Sequence, residues 1–348
     1  MRILLVMDPF IRVPPEHYGG IERVVADLAN LLHARGHDVT LWASPGSACR
    51  GRVEPFGAVG EWTRWSNVRN TLRLAGRFAR RPRRFDVVHN FGRLAYLLPV
   101  ARRRVAKVQT YMRTVNPANI ALFERLGARA LAFTAVSDAI RRTGAPGGGS
   151  WRVIYNCARP ALYTLSTDVD AAAAPLLFLG RLERCKGAHT AVDVAVRAGR
   201  RLIVAGNVSE LADERAYFER ELEPRLRHPL VTYVGPVNDT QKVALLRTSA
   251  ALLTPIEWEE PFPVVLPEAL LCGTPVITLR RGGNPEGITD GVTGFVCDTA
   301  DEMVDALARL PAIDRAACRR EAERRFSDEV IGDEYEALYR SLVEAAAR

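Results

Sequence analysis

Residues 255–286 have the sequence PIEWEEPFPVVLPEALLCGTPVITLRRGGNPE, which places an acidic loop, an apolar helix, a strand and a glycine turn in succession. The apolar residues between Pro263 and Cys272 recur at the spacing of a buried helix face, and Gly273 is typical of a residue that ends a helix. Residues 275–279 form a short apolar run that predicts a buried strand. This order of elements is one repeat of an α/β fold.

The carboxylates of this stretch are candidate ligand-binding groups. Glu268 lies inside the apolar helix, and Glu260 lies in the loop before it. A buried carboxylate needs a hydrogen-bonding partner because burying a bare charge is costly, and sugar hydroxyls are suitable partners. The alternative is a solvated acidic loop of Glu257, Glu259 and Glu260, with Glu268 pointing to water.

A glycine turn and the glutamate spacing together carry a family resemblance. Gly282 and Gly283 allow backbone N–H groups to converge on an anion. Glu260 and Glu268 have seven residues between them, and Ala-Leu-Leu-Cys-Gly-Thr-Pro-Val-Ile and Gly-Gly-Asn-Pro-Glu follow. This pattern resembles the donor-site signature of the retaining GT-B glycosyltransferases, which include bacterial glycogen synthases and lipopolysaccharide glucosyl- and mannosyltransferases. Length and composition suggest a member acting on an oligosaccharide antibiotic of the avilamycin type.

Length and composition predict two domains without a bound metal or cofactor. The chain has 348 residues, 48% of them hydrophobic, which is enough for two cores. No run of 18 apolar residues occurs, and the sequence begins with a strand-like segment rather than a signal peptide, so a soluble cytoplasmic protein is expected. Its six cysteines contain no CxxC pair, which argues against a zinc site or a disulfide framework.

The two halves of the chain differ in charge. Residues 1–160 carry 26 Lys+Arg against 10 Asp+Glu, whereas residues 161–348 carry 22 against 30. The basic half could bind nucleic acid, anionic lipid or an acidic acceptor. Drift toward arginine is the alternative, because Lys107, Lys186 and Lys242 are the only lysines. No nucleic-acid-binding motif is present, so no nucleic-acid partner is expected, and membrane contact stays open without being favoured.

The first half begins with a βαβ unit. Residues 2–7 predict a strand, residues 21–35 an amphipathic helix and residues 38–43 a second strand, with Gly20 at the helix start. The resemblance implies that Gly20 lies against the donor diphosphate. His89 and Asn90 end a later strand and are candidate acceptor-side residues, although a structural role for His89 is the alternative. Tyr111, a third acceptor-side candidate, follows a strand where many relatives have a histidine.

A second strand-loop-helix cycle starts at residues 176–180. Arg181 and Lys186 lie between the strand end and the next helix, where two cations suit a diphosphate, and the family carries an arginine and a lysine there. Lysine in an arginine-rich chain favours a specific role for Lys186 over ordinary surface charge.

The resemblance also implies backbone contacts to the donor. It places Gly235 and Val237 at the nucleobase. Phe262 and Val264 flank Pro263, which replaces a glycine that many relatives have and lacks an N–H. The donor sugar therefore stays open.

These observations predict an α/β fold of the GT-B type, with two Rossmann-like doubly wound domains facing a cleft. The expected domains are residues 1–160 with a helix at 328–348, and residues 170–327. The expected activity is retaining transfer of a sugar from a nucleotide diphosphate sugar, with UDP favoured, to a small-molecule or oligosaccharide hydroxyl. Arg181 and Lys186 would stabilise the leaving diphosphate, Glu260 would act near the reacting carbon, and Glu268 would bind the ribose.

Three other classes remain open at this point. They are a nucleotide-sugar epimerase of the same fold, a catalytically silent nucleotide-binding protein and a nucleic-acid-binding protein. A dehydrogenase is disfavoured because no GxGxxG follows either first strand.

Overall fold

The computed structural model describes residues 1–15, 20–58, 63–80 and 85–348. The chain divides into two compact units, Met1–Asn156 with Asp328–Arg348, and Cys157–Ser327. Residues 157–160, assigned above to the first domain, belong to the second unit. The reason is a backbone hydrogen bond within the second unit, because the Ala158 N–H donates to the Phe326 carbonyl at 2.9 Å.

The first unit contains a parallel sheet covered by helices. Its helices are α1 (Gly20–Ala34), α2 (Arg64–Arg80), α3 (Pro117–Arg125), α4 (Asp138–Gly144) and, from the C-terminus, α12 (Asp328–Ala347). Its strands are β1 (Arg2–Val6), β2 (Asp38–Trp42), β3 (Arg52–Val53), β4 (Val87–Asn90), β5 (Ala106–Tyr111), β6 (Leu131–Ala135) and β7 (Trp151–Val153). The spatial order is β3-β2-β1-β4-β5-β6-β7.

The predicted opening βαβ unit is confirmed. The four residues Ile3–Val6 of β1 are buried, and α1 buries one apolar face that includes Val24, Leu28 and Leu32. The long C-terminal helix α12 packs on α1 and on β5. Gly20 is the first residue of α1, whereas its neighbour Gly19 lies outside the described residues.

The second unit repeats the same architecture. Its strands are β8 (Leu176–Leu179), β9 (Leu202–Ala205), β10 (Val231–Tyr233), β11 (Leu252–Thr254), β12 (Val276–Leu279) and β13 (Gly294–Cys297). Its helices are α5 (Ala188–Arg197), α6 (Ala212–Tyr217), α7 (Glu223–Leu226), α8 (Asp239–Thr248), α9 (Val265–Leu271), α10 (Ala300–Ala308) and α11 (Arg315–Phe326). The order of the parallel strands is β10-β9-β8-β11-β12-β13.

Both sheets reverse their strand order at one point. The reversal falls between β1 and β4 in the first unit and between β8 and β11 in the second. In open parallel sheets, ligands bind beyond the carboxyl ends of the strands at this reversal. The predicted α/β class with two doubly wound, Rossmann-like units is confirmed, and the topology marks one candidate edge in each unit.

Several other features bear on function. No helix in the described ranges is long and apolar enough to cross a membrane. Among those same residues, no group of three or more His, Cys, Asp or Glu side chains is placed to hold a metal ion. The six cysteines are free thiols.

Candidate active site

The loop after β8 and the loop after β11 meet at the reversal point of the second sheet. A short 3-10 turn, Arg184–Lys186, ends at Gly187, whose φ is +73°. A Cβ on Gly187 would lie 1.9 Å from the Pro255 carbonyl oxygen, so only glycine permits this approach. The Glu257 N–H also donates to the Cys185 carbonyl at 2.9 Å. The cationic loop and the acidic loop are therefore tied together through their backbones.

Lys186 and Glu260 form an ion pair across these two loops. The Lys186 Nζ atom lies 2.5 Å from Glu260 Oε2, and both side chains are largely buried, with 12% and 10% of their surface exposed. Trp258 Nε1 donates to the same carboxylate oxygen at 2.6 Å. The ammonium also lies 5.4 Å from the centre of the Trp258 ring. Glu260 is thus held by two donors, and the solvated alternative does not describe it.

Arg181 is the second predicted cation of this edge. Its guanidinium bonds to Glu183, whose side chain is buried, while the Arg181 side chain itself is 30% exposed. A guanidinium has five donors, so a partner on one side leaves donors for an anion on another. Arg181 therefore reaches the same edge as Lys186 in a partly exposed position.

Glu268 is buried on α9 with charged and polar partners from its own unit. Its Oε1 accepts from the Tyr163 hydroxyl at 2.6 Å and from Lys242 Nζ at 2.6 Å. The Lys242 ammonium also lies 5.6 Å from the centre of the Tyr163 ring. Burial, and next the Glu268 charge, raise the pKa of Tyr163, so its hydroxyl stays a proton donor. Both bonds end on Oε1, which leaves Oε2 for a further donor.

The glycine turn after β12 donates two hydrogen bonds to the acidic loop. The Gly282 N–H donates to Glu259 Oε2 at 2.8 Å, and the Gly283 N–H donates to the Glu260 carbonyl at 2.7 Å. The Gly282 N–H therefore bonds to a carboxylate of the protein itself, and the expected convergence of both N–H groups on a donor anion stays a prediction. Gly283 differs from the expectation because its N–H serves a backbone carbonyl.

The remaining predicted donor contacts line the same unit. Phe262 is buried, with its ring 5.4 Å from that of Phe326, and the Val264 carbonyl accepts from the Glu268 N–H at 3.3 Å. Gly235 follows β10 with φ of +74°, and its carbonyl accepts from Gly206 at 2.9 Å. Val237 is half-buried in the same turn. Phe262 and Val264 thus act through packing and helix formation, whereas Gly235 and Val237 belong to a partly exposed turn.

Sequence reasoning missed three residues of this site: Tyr163, Lys242 and Trp258. The rarity of lysine was the signal that could have found Lys242. Lys107 is wholly buried and donates to the carbonyls of Arg103 and Val105, while Lys186 and Lys242 each pair with a buried carboxylate. Each lysine that this arginine-rich chain retains is therefore largely buried and has specific hydrogen-bond acceptors.

The reversal point of the first sheet contains a cluster that sequence reasoning also missed. Asp8 follows β1 and is buried, with Oδ2 lying 3.6 Å from Arg93 and 3.8 Å from Arg113. Its Oδ1 makes no hydrogen bond of good geometry to a described residue, although the nearby Tyr96 hydroxyl lowers the pKa of the carboxyl. Glu22, in the first turn of α1, is buried nearby. Burial raises the pKa of both carboxyls, against the lowering effect of the arginines.

The predicted acceptor-side residues lie deeper in the first unit. His89 is wholly buried, and its two ring nitrogens lie 2.6 Å from the hydroxyls of Tyr339 and Thr110. Burial holds the pKa of His89 well below its usual range. This geometry favours the structural alternative for His89.

Asn90 and Tyr111 make structural contacts different from those of His89. The buried Asn90 amide donates to the Arg93 carbonyl at 2.9 Å and accepts from Gly92, so it shapes the turn that carries Arg93. Tyr111 stacks on Phe133 and Trp151. Both residues therefore support the sheet edge from within the unit.

Two doubly wound units with cations and buried carboxylates at a sheet edge define a GT-B glycosyltransferase. Family models match each unit in turn: "Glycosyltransferase Family 4" matches residues 18–161, and "Glycosyl transferases group 1" matches residues 171–326. The chain belongs to this glycosyltransferase family, as the sequence resemblance predicted, and it is a glycosyltransferase.

Individual relatives agree with this assignment. The chain is 26% identical to the glycogen synthase of Mycobacterium tuberculosis over 377 aligned residues, which cover 92% of this chain and 88% of that protein. It is 31% identical to the D-inositol 3-phosphate glycosyltransferase of Mycobacterium bovis over 212 residues, which cover 53% of this chain and 40% of that one.

Solved structures extend the similarity to the whole fold. AviGT4, a glycosyltransferase involved in avilamycin A biosynthesis, is 28% identical with a TM-score of 0.71, covering 98% of both chains. HepE of Anabaena in complex with UDP is 20% identical with a TM-score of 0.76, covering 98% of this chain and all of that one. The HepE similarity shows the fold alone.

Proposed function

We propose that this enzyme transfers a sugar from a nucleotide diphosphate sugar, with UDP as the nucleotide, to an acceptor hydroxyl with retention of anomeric configuration. The observation that carries the proposal is the buried pair of Lys186 and Glu260 at the reversal point of the second sheet. Glu268 and Arg181 lie in the same unit on the elements that flank this edge. A cation for the leaving group and a carboxylate for the sugar are thus neighbours.

The cations supply the stabilisation of the departing diphosphate. Lys186 and Arg181 now neutralise Glu260 and Glu183, so their charges are already oriented before a ligand binds. A diphosphate oxygen offers each cation a second anionic partner through a charge-assisted bond. Preorganised charge of this kind lowers the barrier because no reorganisation is needed as negative charge develops.

Glu260 acts on the sugar in this proposal. Trp258 and Lys186 both donate to its Oε2 atom, which fixes the orientation of the carboxylate. A carboxylate held in this way can accept bonds from sugar hydroxyls and stabilise positive charge developing at the reacting carbon. Trp258 is therefore a positioning residue.

Glu268 binds the ribose through its remaining oxygen. Tyr163 and Lys242 occupy Oε1, and Oε2 is the atom proposed to accept from the ribose hydroxyls. The turn at Gly235 and Val237 contacts the nucleobase by backbone groups, which leave no side-chain signature of the base. UDP is proposed because the HepE structures hold UDP, UDP with glucose, or UDP-glucose.

The acceptor side belongs to the first unit. Asp8 offers a buried carboxylate oxygen that makes no hydrogen bond of good geometry among the described residues, and Arg93 and Arg113 lie beside it. Such an oxygen is suited to accept a bond from an acceptor hydroxyl. An oligosaccharide of an antibiotic or a cell-surface glycan is the proposed acceptor class, and the similarity to AviGT4 supports the antibiotic.

Thermal unfolding with UDP, GDP, ADP and TDP tests the donor site. A nucleotide at about 100 times its dissociation constant should stabilise the protein by roughly 2.7 kcal/mol. UDP is expected to raise Tm in the wild type and to lose this effect in Glu268→Gln. Glu257→Gln is the matched control, because this more exposed carboxylate lies in the loop before α9 and bonds to His189 and Thr190. Failure of all four nucleotides would contradict a nucleotide-sugar site.

The stereochemical part is tested by NMR of the product formed from UDP-glucose and an oligosaccharide acceptor. Retention predicts an α-linked product from the α-configured donor. A β-linked product would overturn retention while leaving the donor site intact. Epimerisation of the UDP-sugar without an acceptor would instead identify an epimerase.

A further inference from the structure

Helix α2 presents a second apolar face to solvent. Trp65, Val68 and Leu72 are 83%, 52% and 67% exposed, and their spacing of three and four residues places them on one face of the helix. We refer to these three residues as the outer stripe. Leu74 and Phe78 lie on the opposite face and pack into the core of the first unit. The outer stripe is therefore not needed for packing of the helix onto its own unit.

Arginines border the outer stripe along one side. Arg69, Arg73 and Arg80, here termed the arginine edge, are exposed, and within the described residues none of them has a salt bridge. Residues 63–84 contain eight arginines and no Asp or Glu. Arg77 differs, because it donates to the Glu54 and Pro55 carbonyls and lies over the Trp42 ring. Arg77 thus anchors the helix, whereas the arginine edge has no carboxylate partner in the part of the chain that the structure describes.

The outer stripe and the arginine edge line one groove of about 850 Å³ on the first unit. Phe56 and Gly57 also line this groove. Drift toward arginine explains why the basic residues of this chain are mostly arginine rather than lysine. It explains neither the lack of acidic residues along α2 nor the exposure of a tryptophan and a leucine beside the arginines. The combination of both features indicates a partner that is anionic and also accepts apolar side chains.

We propose that α2 docks on the surface of an anionic lipid bilayer. An amphipathic helix with basic side chains and with Trp or Leu on its apolar face lies in the interface of a membrane, where the apolar side chains enter the headgroup region. Trp65, Val68 and Leu72 would enter the bilayer, and the arginine edge would bind lipid phosphates. A nucleic-acid backbone matches the charge but gives Val68 and Leu72 nothing to insert into.

Co-sedimentation of the full-length protein with vesicles tests this proposal without any transfer reaction. The protein is expected to pellet with phosphatidylcholine vesicles that contain phosphatidylglycerol and to remain soluble with phosphatidylcholine alone. Each arginine near an anionic surface contributes about a fivefold gain in affinity. The double variant Arg69→Ser/Arg73→Ser should therefore bind roughly 30-fold more weakly. Added salt should weaken the wild type in the same direction.

Two further variants distinguish vesicle binding through the outer stripe from nonspecific adsorption of the protein to vesicles. Trp65→Ser/Leu72→Ser should weaken vesicle binding and abolish the part that resists salt. Leu122→Ser/Arg125→Ser on α3 is the matched control, because Leu122 is 51% exposed on another helix of the same unit. The control should bind vesicles as the wild type does. An unchanged Tm for each variant shows that its fold is intact.

Three outcomes would overturn the proposal. The first is equal pelleting with neutral and anionic vesicles, or none with either. The second is an equal loss of binding in the α3 control and the α2 variants. The third is binding to a DNA duplex, lost in Arg69→Ser/Arg73→Ser, without binding to vesicles, which would assign the surface to nucleic acid.

Discussion

The reversal points of the two sheets carry the same chemical groups in different states. In the second unit, two buried carboxylates bond directly to lysines: Glu260 to Lys186 at 2.5 Å, and Glu268 to Lys242 at 2.6 Å. In the first unit, the nearest arginine nitrogens are 3.6 and 3.8 Å from Asp8. The same topology thus produces close ion pairs at the edge of the second sheet. At the edge of the first sheet it produces a buried carboxylate whose cations are more distant.

This difference in charge pairing indicates that the two sheet edges have different functions. A paired carboxylate keeps its charge and its orientation, which suits a site that must present fixed charges to a diphosphate and a sugar. A carboxylate that has lost water without gaining a close partner is destabilised until a ligand supplies the missing bonds. Natural proteins retain such groups mainly where function requires them. Four substitutions test this comparison.

Lys186→Ala should have the largest effect. It leaves Glu260 buried without its cation, which is expected to lower the free energy of unfolding by about 3 kcal/mol. It should also lower kcat by about 100-fold or more, because the leaving group loses a preorganised charge. Urea unfolding and initial rates measure both effects. Arg184→Ala is the control in the same turn, since its pair with Glu221 is exposed and should contribute less than about 1 kcal/mol.

Gly282→Ala should come next, because it disturbs the backbone contact that holds the acidic loop. Its φ of +54° disfavours a side chain, and a Cβ would lie 2.2 Å from the Glu260 carbonyl oxygen. We expect a loss of about 2 kcal/mol or more, together with weaker nucleotide binding. Gly36→Ala, at φ of +84° with no atom within 4 Å of the new Cβ, isolates the conformational cost of about 1 kcal/mol. Equal losses would show that the close approach is unimportant.

Asp8→Asn should act in the opposite direction and stabilise the first unit. Because burial raises the pKa of Asp8, the folded protein holds this proton more tightly than the unfolded chain. The free energy of unfolding therefore falls as pH rises from the ordinary range of an aspartate through the raised pKa. Removing the charge should raise stability at neutral pH by about 1.4 kcal/mol per pKa unit of the shift.

Denaturant unfolding across the acidic and neutral range checks this sign. The Asp8→Asn variant should show a flatter pH dependence than the wild type, whereas the exposed Asp38→Asn should retain the wild-type slope. If Asp8 contacts the acceptor, the stabilised variant should also have a higher acceptor KM. Destabilisation at neutral pH would mean that Arg93 and Arg113 already satisfy the carboxylate.

Tyr163→Phe should have the smallest effect. It removes one of the two donors on Glu268 Oε1 and leaves Lys242 in place, so a loss of about 1 kcal/mol is expected. Nucleotide affinity should fall because the carboxylate is less firmly oriented. Tyr217→Phe loses a bond to His189, leaves both donors of Glu268 in place, and should not change nucleotide affinity. Equal nucleotide affinities in the two variants would exclude a positioning role for Tyr163.

The amino-acid sequence by itself predicted the α/β class and the doubly wound units. It also singled out Arg181, Lys186, Glu260 and Glu268, because helix periodicity, glycine turns and the spacing of the two glutamates are local properties of the chain. The rarity of lysine added weight to Lys186 for a compositional reason.

The partners of these residues were decided by the tertiary structure. Lys186 reaches Glu260 across 74 positions in the sequence, and Tyr163 reaches Glu268 across 105. The first contact depends on the placement of β8 beside β11. The second depends on the packing of residues 157–163 against the rest of the second unit. The Asp8 cluster and the full burial of His89 depend likewise on strand order, since a local pattern contains no information on which loops meet at a sheet edge.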